Sequence, residues 1–233
     1  LDLEHHQHIL DENAFQKSLP NLGWHGEDLD LTVLFFQPLF EKMSESVAVG
    51  LCGQGADELH AGYPRYRDLE SHRNLIQSRL KSCAHPFSNT LLSSPITTPG
   101  WRGDHNPSSA FSDLETTLQY EMNHGQLTNF QLRLVDRHSM AHGLEVRVPF
   151  LGNPHLDASS RLPTHWKLSY RVEKAALREA ANLTKLPKDI VHRPKLPAGR
   201  ATSPSMIDNL LDELKGHAAE YANDIPSISG MFH

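Results

Sequence analysis

The feature that most constrains the fold is the run Val47-Ala48-Val49-Gly50-Leu51, followed directly by Cys52-Gly53-Gln54-Gly55-Ala56-Asp57-Glu58. A short, nearly all-apolar run of this kind predicts a strand covered on both faces, as in a parallel sheet. The glycines after it suit a turn at the carboxyl end of that strand. Ligands of α/β sheets bind there, and glycine lets backbone N–H groups approach a phosphate. Asp57 and Glu58 at the same rim suit Mg²⁺, which takes one or two carboxylates and completes its octahedron with phosphate oxygens and water. Upstream, Leu31, Phe35, Leu39 and Met43 recur every fourth position behind the possible caps Asp28 and Asp30. They predict one buried helix face despite Pro38, ended by a turn at Ser44 to Ser46. Helix followed by buried strand implies an α/β layer.

The glycine pattern is not a dinucleotide fingerprint, because Glu58 takes the place of the third glycine, and it lacks the Gly-Lys-Ser/Thr ending of a P-loop. Taken locally, a glycine turn before an acidic helix N-terminus explains it equally well. Downstream, residues 66 to 83 read as a polar helix, and residues 85 to 109, rich in Pro, Ser, Thr, Gly and Asn, read as a long loop. Two helices follow, Phe111 to Met122 stopped by Gly125 and Leu127 to Ala141 stopped by Gly143. Further helical segments are expected at Glu173 to Asn182 and Met206 to His217, joined by a stretch with Pro187, Pro194 and Pro197.

With 38% apolar and 21% charged residues in 233, the chain has the balance of a folded domain. Its net charge of −6 argues against a broadly basic nucleic-acid surface. Its apolar stretches fall short of the ~20 residues that span a bilayer. Neither a nucleic-acid nor a membrane partner is expected. Cys52 and Cys83, without a CxxC pair, form no disulfide framework, so a reducing, cytoplasmic setting is the simplest expectation. The 16 histidines are the oddity. Protonating half of them near pH 6.5 would carry the net charge from −6 to about +2.

Three segments carry a resemblance. Gly53-Gln54-Gly55-Ala56-Asp57-Glu58-Leu59 followed by Gly62-Tyr63-Pro64-Arg65-Tyr66 resembles the strand-end motif SGEGADELFGGYPRY of the asparagine synthetase family. Asp136 to Leu151 resembles that family's DRMSMAHGLEVRVPFLD. Leu177-Arg178-Glu179-Ala180, then Leu186-Pro187 and Arg193-Pro194-Lys195, is similar to its LREA, LP and RPK stretch. Together they cover roughly residues 5 to 200; the tail from 201 to 233 is expected to be helical.

The resemblance implies an adenine nucleotide α-hydrolase-like (Rossmann-like) α/β fold followed by a mainly helical region. It also implies a synthetase that uses ATP and Mg²⁺ to turn a carboxylate, aspartate first, into an acyl-adenylate attacked by glutamine-derived ammonia. Carried over by position, Asp57 is the expected metal and pyrophosphate-side carboxylate, and Glu58 supports that rim. Gly53 and Gly55 line the nucleotide cleft, Lys195 stabilises the departing pyrophosphate, and Gln54 stands at the amide-forming position.

Departures from the pattern sharpen these expectations. The family has Glu where this chain has Gln54, and a carboxamide exchanges hydrogen bonds but takes no proton at neutral pH. Cys52 replaces Ser, Gly152 replaces Asp, and Leu196 to Arg200 leaves the pattern. The family's SGGxDS phosphate loop and its N-terminal cysteine glutaminase domain do not occur in these residues. By alignment Leu1 falls just downstream of that loop. A C-terminal fragment or partner chain is therefore expected, with the other half of the synthetase and the glutaminase domain supplied in the same or another chain. Alone, it is expected to bind Mg-ATP weakly. Asp136, Arg137, Glu145 and Arg147 are expected to form buried ion pairs around a helix end.

Three rival functions remain open in the sequence. One is a zinc site built on His138 and His142, four apart on one helix face, with His5, His6 and His8 a second cluster. Another is a non-catalytic scaffold subunit of the same fold. The third is an amide-forming enzyme like the β-lactam synthetases or lasso-peptide cyclases.

Overall fold

The computed structural model describes residues 4–7, 9, 11–27, 30–82, 111–123, 125–170, 172–196 and 204–224. The proposed loop at 85–109, Asp28, His8 and Cys83 lie outside them. The chain is mixed α/β, mostly helical, with a small parallel sheet of two strands. In chain order the elements are α1 Glu12–Lys17, α2 Leu19–Gly26, α3 Phe36–Ser44, β1 Val49–Leu51, α4 Ala56–Leu59 and α5 Leu69–Ser82. Then come α6 Leu114–Asn123, α7 Leu132–Met140, β2 Glu145–Arg147, α8 Asn153–Ser160, α9 Thr164–Lys167, α10 Ala175–Asn182, α11 Lys188–Val191 and α12 Pro204–Asp224. They divide into two compact units, the first built from Leu1–Gly53, Phe130–Pro149 and Leu196–Phe232, the second from Gln54–Asn129 and Phe150–Lys195. Among the described residues no helix is long and apolar enough to cross a membrane.

In the first unit, the single helix expected over Leu31 to Met43 is broken into a 3₁₀ turn at Leu31–Val33 and α3. Pro38 is the reason: without an N–H it is tolerated only in the first helical turn, so α3 starts just before it at Phe36. Asp30 caps the 3₁₀ turn, its carboxylate accepting the Thr32 N–H at 2.8 Å. Burial shifts accordingly. Leu39 is left exposed, while Leu31 and Leu34 pack with Leu22, Ile207 and Leu210, and Phe36 and Phe40 pack with Leu134, Val135 and Leu144.

β1 pairs in parallel with β2, Gly50 opposite Val146. The expectation of a strand buried on both faces fails: Val49 is 40% and Leu51 73% exposed, and only Gly50 is covered. The expected buried ion pairs fail too. Gly143, at φ 67°, turns the chain out of α7, and the following Glu-Val-Arg alternation becomes a strand. Glu145 and Arg147 then sit two apart on one face and pair at 2.8 Å, both about 60% exposed. Arg137 pairs with exposed Glu27 at 2.7 Å. In this unit His138 and His142 share one partner. The Gln37 amide nitrogen donates to His138 Nδ1, and His142 Nε2 donates to Gln37 Oε1 at 3.1 Å. The inserted amide accounts for the i, i+4 pair without a metal.

In the second unit, α4 packs against α6 and α8, α9 against α10, and α10 against α11. Its core includes Ala61, Tyr66 and Leu118.

Candidate functional site

The site is assembled in the second unit around Asp57. Gly55 enters α4 at φ 90°, and a Cβ there would lie 2.4 Å from Leu151 Cδ2. Glycine is thus required both by the left-handed backbone and by the leucine packed on it. Gly53, at the end of the first unit, has nothing within 4 Å of where a Cβ would sit. Gln54 is partly exposed in the turn and makes no hydrogen bond to Asp57, Lys174 or Lys195 among the described contacts.

Asp57 Oδ1 lies 2.7 Å from Lys174 Nζ, and its Oδ2 lies 3.0 Å from Lys195 Nζ. All three side chains are largely buried, so the pairs are poorly screened. Gly62 makes the arrangement fit. Its N–H bonds the Asp57 carbonyl at 2.8 Å, and a Cβ on it would fall 1.9 Å from Asp57 Oδ1 and 2.2 Å from Lys174 Cε. Ala61, fully buried, takes φ 52° to turn the chain back there. Gly62→Ala is therefore expected to detach Lys174 from Asp57 and cost about 1–3 kcal/mol, read as a lower denaturation midpoint. An unchanged midpoint would contradict the packing.

Glu58, expected at the rim, instead points into the interior and is 0% exposed. Burial raises its carboxyl above the usual range and the Asp57 charge adds to this, while its own backbone, Tyr63 and Arg65 oppose it. Tyr63 carries the cations beside the site: the Arg65 guanidinium stands 4.0 Å and the Lys195 ammonium 5.3 Å from its ring centre. Arg65 in turn faces buried Glu121 at 3.5 Å.

The structure brings Asp57 and Lys195 together and adds Lys174, which the sequence reading missed. Lys174 is the N-cap of α10, at φ 54°, with its N–H on the His60 carbonyl at 3.1 Å. A positive side chain in a left-handed conformation at a helix N-terminus opposes both the macrodipole and backbone preference. The charge half of that conflict was readable in Glu173-Lys174 before a helical run. Chemically, one carboxylate holding two ammonium groups can release both to a polyanion. The same carboxylate, once released, has the oxygen donors that Mg²⁺ takes alongside phosphates. Among the described residues no cluster of three or more His, Cys, Asp or Glu forms a self-sufficient metal site.

The family described as Asparagine synthase matches the chain over residues 1–229. Asparagine synthetase (glutamine-hydrolyzing) 1 of Bacillus subtilis is 25% identical, over 84% of this chain and 38% of its own length. A putative asparagine synthetase (glutamine-hydrolyzing) of Mycobacterium tuberculosis is 28% identical, over 81% of this chain and 35% of its own length. The asparagine synthetase (glutamine-hydrolyzing) of Rattus norvegicus is 26% identical, over 82% of this chain and 28% of its own length. The chain therefore spans little more than a third of these relatives at most.

Proposed function

The chain belongs to the asparagine synthase family, and from that premise we propose that it supplies part of an ATP-dependent amide-forming ligase of asparagine biosynthesis. Its small parallel sheet would belong to an adenine nucleotide α-hydrolase-like layer. In the proposed reaction an aspartate side-chain oxygen attacks the α-phosphorus of ATP, the bond to the β-phosphate breaks, and pyrophosphate leaves. Ammonia, supplied from glutamine by a glutaminase domain in the same or another chain, then attacks the acyl carbon and AMP departs. The observation that carries this reading is the pair of lysines held on Asp57.

Lys174 and Lys195 are placed to exchange one carboxylate for phosphate oxygens, meeting the negative charge that grows on leaving pyrophosphate. Asp57, relieved of them, would hold Mg²⁺; bound there, the ion would neutralise phosphate charge as a Lewis acid. Gly55 fixes the turn that aims α4. Gln54 can orient the incoming amine but cannot take its proton, so the second step is expected to be the slower one. That substitution also supports a second reading, a subunit of the same fold that binds without completing the amide.

Exchange of labelled pyrophosphate into ATP tests the proposal on the protein carrying this chain. Aspartate is expected to support exchange, and Lys174→Ala to reduce it about 100- to 1000-fold with the fold retained. No exchange with aspartate would reject the asparagine reading.

A further inference from the structure

Two lysines converge on Asp57 from separate segments, and one ion pair ties those segments together. Glu173 directly precedes Lys174, and the backbone N–H of Lys195 is among the groups that hold its carboxyl below the usual range against the effect of burial. Arg178, one turn into α10, donates Nη2 to Glu173 Oε1 at 2.6 Å and Nε to the Glu173 carbonyl at 2.9 Å. The same guanidinium donates Nη1 to the Val191 carbonyl and Nη2 to the Arg193 carbonyl at 2.9 Å. Its planar fork is thus spent on the residue before Lys174 and on the segment before Lys195 at once, and no point charge could serve that set. Arg67 braces the far side, 3.3 Å from Glu173 Oε2, with its other nitrogen on the Tyr170 carbonyl at 3.1 Å.

We propose that the Glu173–Arg178 pair is a positioning device that sets Lys174 and Lys195 on Asp57 and fixes the spacing at which the two ammonium groups meet a phosphate chain. The importance of that spacing rests on the reading of the lysines as phosphate-binding groups; the positioning itself does not. Arg178 touches no ligand in this scheme. Without its fork, the segment from Val191 to Lys195 loses its anchor, whereas Lys174 keeps its own N–H on His60.

Trace acetylation with acetic anhydride, quantified lysine by lysine, tests it without nucleotide. Arg178→Ala is expected to speed labelling of Lys195 about tenfold, the loss of roughly one charge-assisted hydrogen bond. Lys174 is expected to change less, and Lys42 and Lys215 in the other unit to keep their rates. Arg178→Lys is expected to behave like the alanine variant, because one ammonium cannot replace the fork. An unchanged Lys195 rate in Arg178→Ala, or its restoration by Arg178→Lys, overturns the proposal. If Arg178→Ala labels faster at every lysine, Glu173→Gln decides by the same criterion. Failure of pyrophosphate exchange in the unaltered protein would reject the proposed function and leave the labelling result standing.

Discussion

Acidification from pH 7 to pH 4 is expected to remove about 3 kcal/mol of stability through each of two buried histidines, His138 and His60, one in each unit. Burial holds both imidazoles down at about 4, against 6.5 in the unfolded chain. Around His138, the charges of His25, His142 and Arg137 add to burial. Its Nδ1 also accepts from the Gln37 amide and so has no place for a proton. Around His60, the neighbours are His155, Lys167 and Lys174, and His60 Nε2 lies 2.9 Å from His155 Nε2, a pair that shares one proton between two nitrogens.

The sign follows from which state binds more protons. Between pH 6.5 and 4 the unfolded imidazoles charge while the folded ones stay neutral, so stability is full above 6.5 and falls as pH falls. Glu58, raised in the folded state, works in the opposite direction, so single substitutions are needed to isolate the histidines. Denaturant unfolding at several pH values should show the slope. His138→Met, which restores the family's residue, should flatten it for the first unit, and His60→Phe should do so for the second. Midpoints that do not move with pH would refute the account.

Asp57→Ala is expected to destabilise the second unit by about 3–5 kcal/mol, because it leaves two largely buried ammonium groups facing each other without their shared anion. Pyrophosphate exchange should be lost with it. The informative comparison is the double variant: adding Lys195→Met to Asp57→Ala removes one unpaired charge and should recover roughly 1 kcal/mol or more. If the double variant is less stable than Asp57→Ala alone, the repulsion argument fails and Asp57 matters chiefly through packing.

These effects separate what residue order reveals from what it hides. The glycine turn, the acidic α4 and the helix stops were readable because each is a local conformational demand: Gly55 and Gly143 both take positive φ where a side chain would be strained. The family resemblance singled out Asp57 and Lys195 one by one; that they touch is a contact spanning most of the second unit that no periodicity could suggest. Lys174 escaped notice because a lysine before a helix looks like any solvated charge until the chain folds it over Gly62. Glu145 to Arg147 was misread because charge alternation suits a strand face as well as a helix end. Val49 and Leu51 were expected inside because apolar runs imply burial, whereas burial depends on what packs against the strand.

By itself the sequence determined several of the helices, the parallel strand-turn-helix segment and the family, since these rest on short-range backbone preferences and on long motifs. Only the tertiary structure decided that two lysines from different segments share one carboxylate, that Glu58 turns inward, and that Arg178 ties the segments together. The reason is physical. Coulombic and hydrogen-bond partners are set by distances of a few ångströms between residues more than a hundred positions apart, and those distances exist only once the core has closed.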